Sequence, residues 1–259
     1  MKDCEQQARV AMDNQDWPAA IRLLRQALKD SPGEGELSLL LAEALAEAGK
    51  GNDAVDVLRQ ALAAQPAELE LLFALGDLLF ELDEADQALD CYRQILQVDD
   101  QEGEAWVSIG LVHYQQQRYA DAVDSCRRAG ELDGESAFLY NCLGDAYLAL
   151  ADDDKALTCY RKAMQLDPKE ARTYLNLAEI YYERGDLAAA KREGRQAVDL
   201  DGELAEAYVT LGNICLDLDE TREALGYYQK FLACEHSTVG RDIRAEVAAL
   251  VEGLKAELA

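Results

Sequence analysis

The sequence predicts an all-α, right-handed superhelical solenoid of seven antiparallel helix pairs, followed by one further helix. Three observations carry this expectation. A single offset of 34 residues aligns nearly every strong feature of the chain. Only four prolines occur, at Pro18, Pro32, Pro66 and Pro168, and strand-forming residues never alternate with polar ones over a sustained run. Large and small apolar residues also recur at fixed places in each period, as the close crossing of two helices requires.

The period is clearest in one column, where Ala20, Ala54, Ala88, Ala122, Ala156, Ala190 and Ala224 follow one another without exception. Twelve residues before each stands another small residue: Ala8, Ala42, Gly76, Gly110, Gly144, Ala178 and Gly212. Bulky residues flank them at Leu41, Leu75, Ile109, Leu143, Leu177 and Leu211. The repeats therefore run 1–34, 35–68, 69–102, 103–136, 137–170, 171–204 and 205–238, each with two helical stretches and a breaker between them. Gly49 and Gly185 suit the left-handed backbone that ends a helix, and Asp16, Trp17 and Pro18 supply an N-cap and a first-turn proline for the next one. Beyond 238 the register fails, but Val239, Ile243, Val247, Leu250, Val251, Leu254 and Leu258 keep helical spacing, so 239–259 reads as a capping helix. Residue 1 already occupies the first position of repeat one. Either that repeat's first helix serves as its own cap or the chain continues before it.

This arrangement resembles the tetratricopeptide repeat (TPR) family. Tyr140, Leu143, Gly144, Tyr147, Ala156, Tyr160, Ala163 and Pro168 carry the likeness in the fifth repeat, and Tyr174, Leu177, Ala178, Tyr181, Ala190 and Ala197 in the sixth. The resemblance implies that the first helix of each pair lines a concave face that binds other proteins. It does not extend to the family's clamp for chaperone C-terminal carboxylates. Only Asn176 matches, and Asp145 and Glu206 stand where a carboxylate would have to dock. The asparagine ladder of glycosyltransferase arrays is missing as well.

Composition narrows the partners. The chain has 259 residues, 51 acids against 25 bases and a net charge of −26, which repels polyanionic nucleic acid and anionic membrane surfaces. Apolar runs such as 146–151 fall far short of the roughly 20 residues a membrane helix needs, and the N-terminal residues lack the apolar stretch of a signal peptide. Seven cysteines without a C-x-x-C spacing fit neither a disulfide framework nor a zinc ribbon. A cytoplasmic chain with buried thiols is expected.

The candidate groove is read from the exposed positions of the first helices. Its residues are Glu43, Glu47, Phe73, Asp77, Phe80, Glu81, Tyr114, Asn141, Asp145, Asn176, Glu179, Tyr182, Glu183 and Asn213. Carboxylates alternate there with apolar and aromatic surface, which suits a basic or amphipathic peptide segment of a partner protein. Repeat three, with ten acids and one base, is the most acidic, and Asp77, Phe80, Glu81 and Tyr114 are the expected centre. A different reading, an assembly or secretion chaperone that shields a hydrophobic segment, would favour the apolar rows. Self-association through the N-terminal repeat, with Val10, Met12 and Leu23 near its edge, is a further expectation.

No catalytic apparatus is visible: the phosphate-cradling, nucleophile-elbow and dinucleotide motifs are all missing. No cofactor or metal is expected. His113 falls where its counterparts are Leu79, Tyr147 and Tyr181 and reads as a packing residue, while Cys234, Glu235 and His236 lack a second pair of ligands. Tyr92, Tyr160 and Tyr228 fall where the second helix packs inward.

Overall fold

The computed structural model describes residues 2–235 and 241–258. His236, Val239 and the expected boundary at 238 lie outside the described residues. The chain divides into two compact units, residues 1–134 and 135–259. The first holds α1 (Lys2–Asp13), α2 (Trp17–Asp30), α3 (Gly35–Glu47), α4 (Gly51–Ala64), α5 (Leu69–Glu81), α6 (Ala85–Val98), α7 (Gly103–Gln115) and α8 (Tyr119–Asp133). The second holds α9 (Ala137–Ala149), α10 (Asp153–Leu166), α11 (Ala171–Glu183), α12 (Leu187–Leu200), α13 (Ala205–Asp217), α14 (Thr221–Cys234) and α15 (Arg241–Glu257). Among the described residues there is no strand.

The turn inside each pair is built the same way seven times. Gln15, Gly49, Asp83, Gln117, Ala151, Gly185 and Asp219 all take positive φ, between 57° and 76°. The left-handed residue turns the chain so that the next N–H groups reach back to the last carbonyls of the first helix, as Asp152 N does to Tyr147 O at 2.9 Å. Only two of the seven are glycine, so the other five hold a conformation that L residues adopt at a cost of about 1–2 kcal/mol. The next residue is the N-cap of the second helix. Asp16, Asp152 and Asp186 each accept a hydrogen bond there from a first-turn N–H, at 3.1, 3.3 and 3.1 Å.

Within a pair, the alanine column lies against the first helix, and none of its seven members is more than 1% exposed. The second contact is graded by size. Opposite Gly76, Gly144 and Gly212 lie the rings of Tyr92, Tyr160 and Tyr228, so close that an added Cβ would stand 2.7, 2.5 and 2.4 Å from ring carbons. Ala8 and Ala42 belong to the repeats that carry Leu24 and Leu58 in the tyrosine's place. The three tyrosines are at most 2% exposed, in line with the inward packing expected of them. His113 is likewise buried, and loss of solvation lowers its pKa.

The first helices of neighbouring pairs also touch one another, α3 with α5, α5 with α7 and α11 with α13, and no successive second helices meet to the same extent. The first helices thus line the inner face of each unit. α15 packs on α14 through Val247, Val251 and Leu254, whereas Ile243, Leu250 and Leu258 remain exposed. Its Arg244 donates to the backbone oxygens of Leu232 and Glu235, satisfying carbonyls at the end of α14.

Two stability predictions follow from these contacts. Ala151→Gly relieves the left-handed backbone of an exposed residue and is expected to stabilise by about 1 kcal/mol in urea denaturation. Gly144→Ala forces a methyl against Tyr160 and is expected to cost about 1–3 kcal/mol. Adding Tyr160→Leu, which recreates the Ala42–Leu58 combination, should then cost less than the sum of the two single changes.

Candidate functional site

The inner face of the first unit carries a cleft of about 420 Å³ between α3 and α5, bounded at one end by α1. Its apolar floor includes Leu39, Leu40, Ala74 and Leu78, and its rim includes Glu43, Asp77 and Glu81. Helical spacing explains the alternation: residues 39, 43 and 46 of α3 and 74, 77, 78 and 81 of α5 share the helix sides turned toward each other. Glu43, Glu47 and Glu81 are exposed and make no hydrogen bond or ion pair among the described residues. Asp77 differs, because its carboxylate accepts a hydrogen bond from the buried Tyr92 hydroxyl at 2.7 Å. Burial and this carboxylate together raise the Tyr92 pKa. Arg9 stands at the cleft's end, held by Glu36 at 2.6 Å and Glu5 at 3.1 Å.

The other residues expected in this unit surround the cleft without lining it. Phe73 and Phe80 are half-buried, and the Phe73 ring lies 6.5 Å from that of Tyr92. Tyr114 is 39% exposed on α7 and packs against Tyr119 at a ring separation of 5.4 Å. The cleft therefore lies one repeat nearer the N-terminus than the expected centre around Asp77, Phe80, Glu81 and Tyr114.

On the inner face of the second unit the polar residues are bonded to one another. Asn141 Oδ1 accepts from Thr173 at 3.0 Å, Asp145 accepts from Tyr160 at 2.6 Å and from Asn176 at 3.3 Å, and Glu179 accepts from Thr210 at 3.4 Å. Tyr182 donates to Asp217 at 2.7 Å, Tyr228 donates to Asn213 at 2.7 Å, and Arg172 pairs with Glu206. Glu183 stays exposed. Burial holds the Asp145 and Glu179 carboxyls above their ordinary pKa range. The hydrogen bond to Asp217 pushes the Tyr182 hydroxyl up to about 12.

Two features of the inner faces have sequence signals that position-by-position reading misses. An Asp or Asn precedes a Tyr by 15 residues in alternate repeats, at 77/92, 145/160 and 213/228, and each pair is hydrogen-bonded. Position 9 of one repeat also bonds to position 6 of the next, as in Asp145–Asn176 and Glu179–Thr210. Elsewhere, Cys215, Glu220 and Glu223 bring possible ligand atoms within 4.8 Å of one another. The Lys191 ammonium pairs with both of these carboxylates, so a cation of the chain itself already fills that place.

Paired helices repeated at a fixed period, with first helices touching from pair to pair, define a helical-repeat protein. Two tetratricopeptide repeat profiles match the chain, one over residues 5–68 and 73–137 and the other over 135–203. The chain belongs to the tetratricopeptide repeat family, whose arrays serve protein–protein interaction. Among curated proteins no sequence matches it significantly. Among solved structures it is similar to a tetratricopeptide repeat protein from Parabacteroides merdae, with TM-score 0.76 and 20% identity over 97% of this chain and 98% of that one. It is also similar to YrrB, described as a TPR protein with an unusual peptide-binding site (0.55, 19%, over 72% of this chain and 96% of that one). A third likeness is to the Cut9–Hcn1 hetero-tetramer of the APC/C (0.71, 16%, over 89% of this chain and 48% of that one). No helix among the described residues is long and apolar enough to cross a membrane.

The buried carboxyl of Asp145 gives a pH test. Its folded pKa is raised, so its stabilising contribution is fully present below the ordinary value of 3.8 and is lost as pH rises through the raised value. Asp145→Asn, which copies the Asn213–Tyr228 pair, cannot ionise. Its stability relative to the parent chain is expected to improve between about pH 3.5 and about pH 7. Urea midpoints at both ends of that range, if they give the same difference, would contradict the assignment.

Proposed function

We propose that the chain is a non-enzymatic scaffold whose first unit holds a basic or amphipathic segment of a partner protein along its inner face. The observation that carries this reading is a pair of open carboxylates beside an apolar cleft floor in the first unit. Glu43 and Glu81, on the rim of the α3–α5 cleft, have no partner among the described residues, whereas Asp145 and Glu179 of the second unit are occupied by Tyr160, Asn176 and Thr210. A Lys or Arg of the partner lays its aliphatic stem over Leu39, Leu40 and Ala74 and places its charge between Glu43 and Glu81. Asp77 contributes field from one side while it holds Tyr92. Phe73, Phe80 and Tyr114 extend the apolar surface for neighbouring side chains. The peptide-binding site reported for YrrB and the Cut9–Hcn1 assembly are precedents on the same fold.

The apolar floor keeps a second reading in play, an assembly or secretion chaperone that shields a hydrophobic segment. Ionic strength separates the two, because only the carboxylate-anchored complex weakens steeply with salt. The first repeat supports a self-association reading with Val10, 54% exposed on α1. The odd, widely spaced cysteine set supports a cytoplasmic setting.

The test is the double reversal Glu43→Lys/Glu81→Lys. It is expected to weaken a captured basic partner peptide by about 10- to 100-fold, equivalent to about 1–3 kcal/mol, while the thermal midpoint moves by no more than about 3 °C. Asp77 is left intact so that the Tyr92 hydroxyl keeps its acceptor. Undiminished peptide binding in calorimetry would remove the acidic-cleft mechanism.

A further inference from the structure

The second helices of the first unit carry a cluster of cations that the chain leaves largely unanswered. Arg22, Arg25 and Lys29 lie along one side of α2, and Lys50, at the start of α4, joins them around a cleft of about 420 Å³ with Pro18 and Ile21 in its lining. Asp53 approaches Arg25 at 3.6 Å. The side chains of Arg22, Lys29 and Lys50 make no hydrogen bond or ion pair among the described residues. The chain has twice as many acids as bases, and most of its other described cations are paired, so this cluster stands apart.

The second unit shows how the same cleft looks when its charges are met. Five repeats onward, Ala188, Arg192, Arg195 and Gln196 take the places of Pro18, Arg22, Arg25 and Gln26 around an equivalent cleft. There Arg192 pairs with Glu193 at 2.6 Å, Arg195 with Glu223 at 2.8 Å, and Lys191 with both Glu220 and Glu223. Two carboxylates three residues apart, at the start of α14, thus reach across to α12. In the first unit Asp53 corresponds to Glu223, but Lys50 stands in the place of Glu220, Lys29 in that of Asp199, Leu23 in that of Glu193 and Ile21 in that of Lys191. A carboxylate pair has become a carboxylate and a cation, and one more acid has become a base.

We propose that this cleft is a second docking site, and that its occupant is an acidic helical segment of a partner protein with carboxylates one turn apart, arranged as Glu220 and Glu223 are in the second unit. The site uses the second helices and does not depend on the acidic cleft between α3 and α5. One scaffold would then take a basic segment on its inner face and an acidic segment on its second helices, two partners of opposite charge.

The probe is a fluorescein-labelled, alanine-based helical peptide carrying glutamates at i and i+3, with its glutamine counterpart as control, titrated onto the full chain in anisotropy measurements. The glutamate peptide is expected to bind and to weaken at least about tenfold between about 50 mM and about 300 mM salt. Arg22→Glu/Lys29→Glu should weaken it by about tenfold or more, and Lys50→Glu, which replaces a cation of the cleft by a carboxylate, should weaken it as well. Glu43→Lys/Glu81→Lys, the change that tests the inner-face reading, should leave it intact. Equal binding of the glutamine peptide, indifference to the α2 reversal with circular dichroism unchanged, or no binding up to about 1 mM peptide would overturn the proposal.

Discussion

How near the two helices of a pair can come at their crossing governs the rest of each unit. A column of alanines with at most 1% exposure sits at that contact, and the facing column holds only Gly or Ala. At three of the four glycines of that column the missing Cβ makes room for a tyrosine from the second helix, and at the fourth, Gly110, the neighbour is Cys126. Gly76, Gly144 and Gly212 admit Tyr92, Tyr160 and Tyr228, and each ring crosses the pair far enough to present its hydroxyl to the inner face. Packing thereby reaches the surface chemistry: a deleted methyl group in the core decides which inner-face acid receives a buried hydrogen bond.

This coupling divides acids that look alike. Asp77 and Asp145 each hold a tyrosine hydroxyl, and Asp145 and Glu179 are further tied to the next repeat by Asn176 and Thr210. Asp145 and Glu179 thereby stitch neighbouring pairs together, and desolvation makes their charged forms costly. Glu43, Glu47 and Glu81 face solvent without partners among the described residues. Residues of one type thus become internal hydrogen-bond acceptors at some repeats and solvent-exposed charges at others.

The second helices repeat the lesson with cations. Arg192 and Arg195 are neutralised by Glu193 and Glu223, whereas Arg22, at the position equivalent to Arg192, finds no such partner. The difference comes from a few residues at repeat-equivalent positions: Leu23 stands in the place of Glu193, and Lys50 and Lys29 add charge where Glu220 and Asp199 stand. A net charge of −26 hides it, because a sum over the chain says nothing about which charges stand together.

The sequence alone determined the period, the all-helical class and the small-residue crossings, because all of these depend on local propensity and on spacing repeated seven times. The Ala20-to-Ala224 column and the breaks at Gly49 and Gly185 were legible for that reason. The left-handed turns at Gln15, Asp83, Gln117, Ala151 and Asp219 were not, since non-glycine residues conceal positive φ and only the closing hydrogen bonds reveal it. The candidate residues were likewise legible as a set but not as a site. Whether Asp77, Asp145 or Glu43 is available to a partner depends on contacts with residues 15 or about 30 positions away, and on which neighbours burial strips of water. Spacing within one repeat contains neither, so only the tertiary structure separated bonded acids from open ones and drew the cleft between α3 and α5.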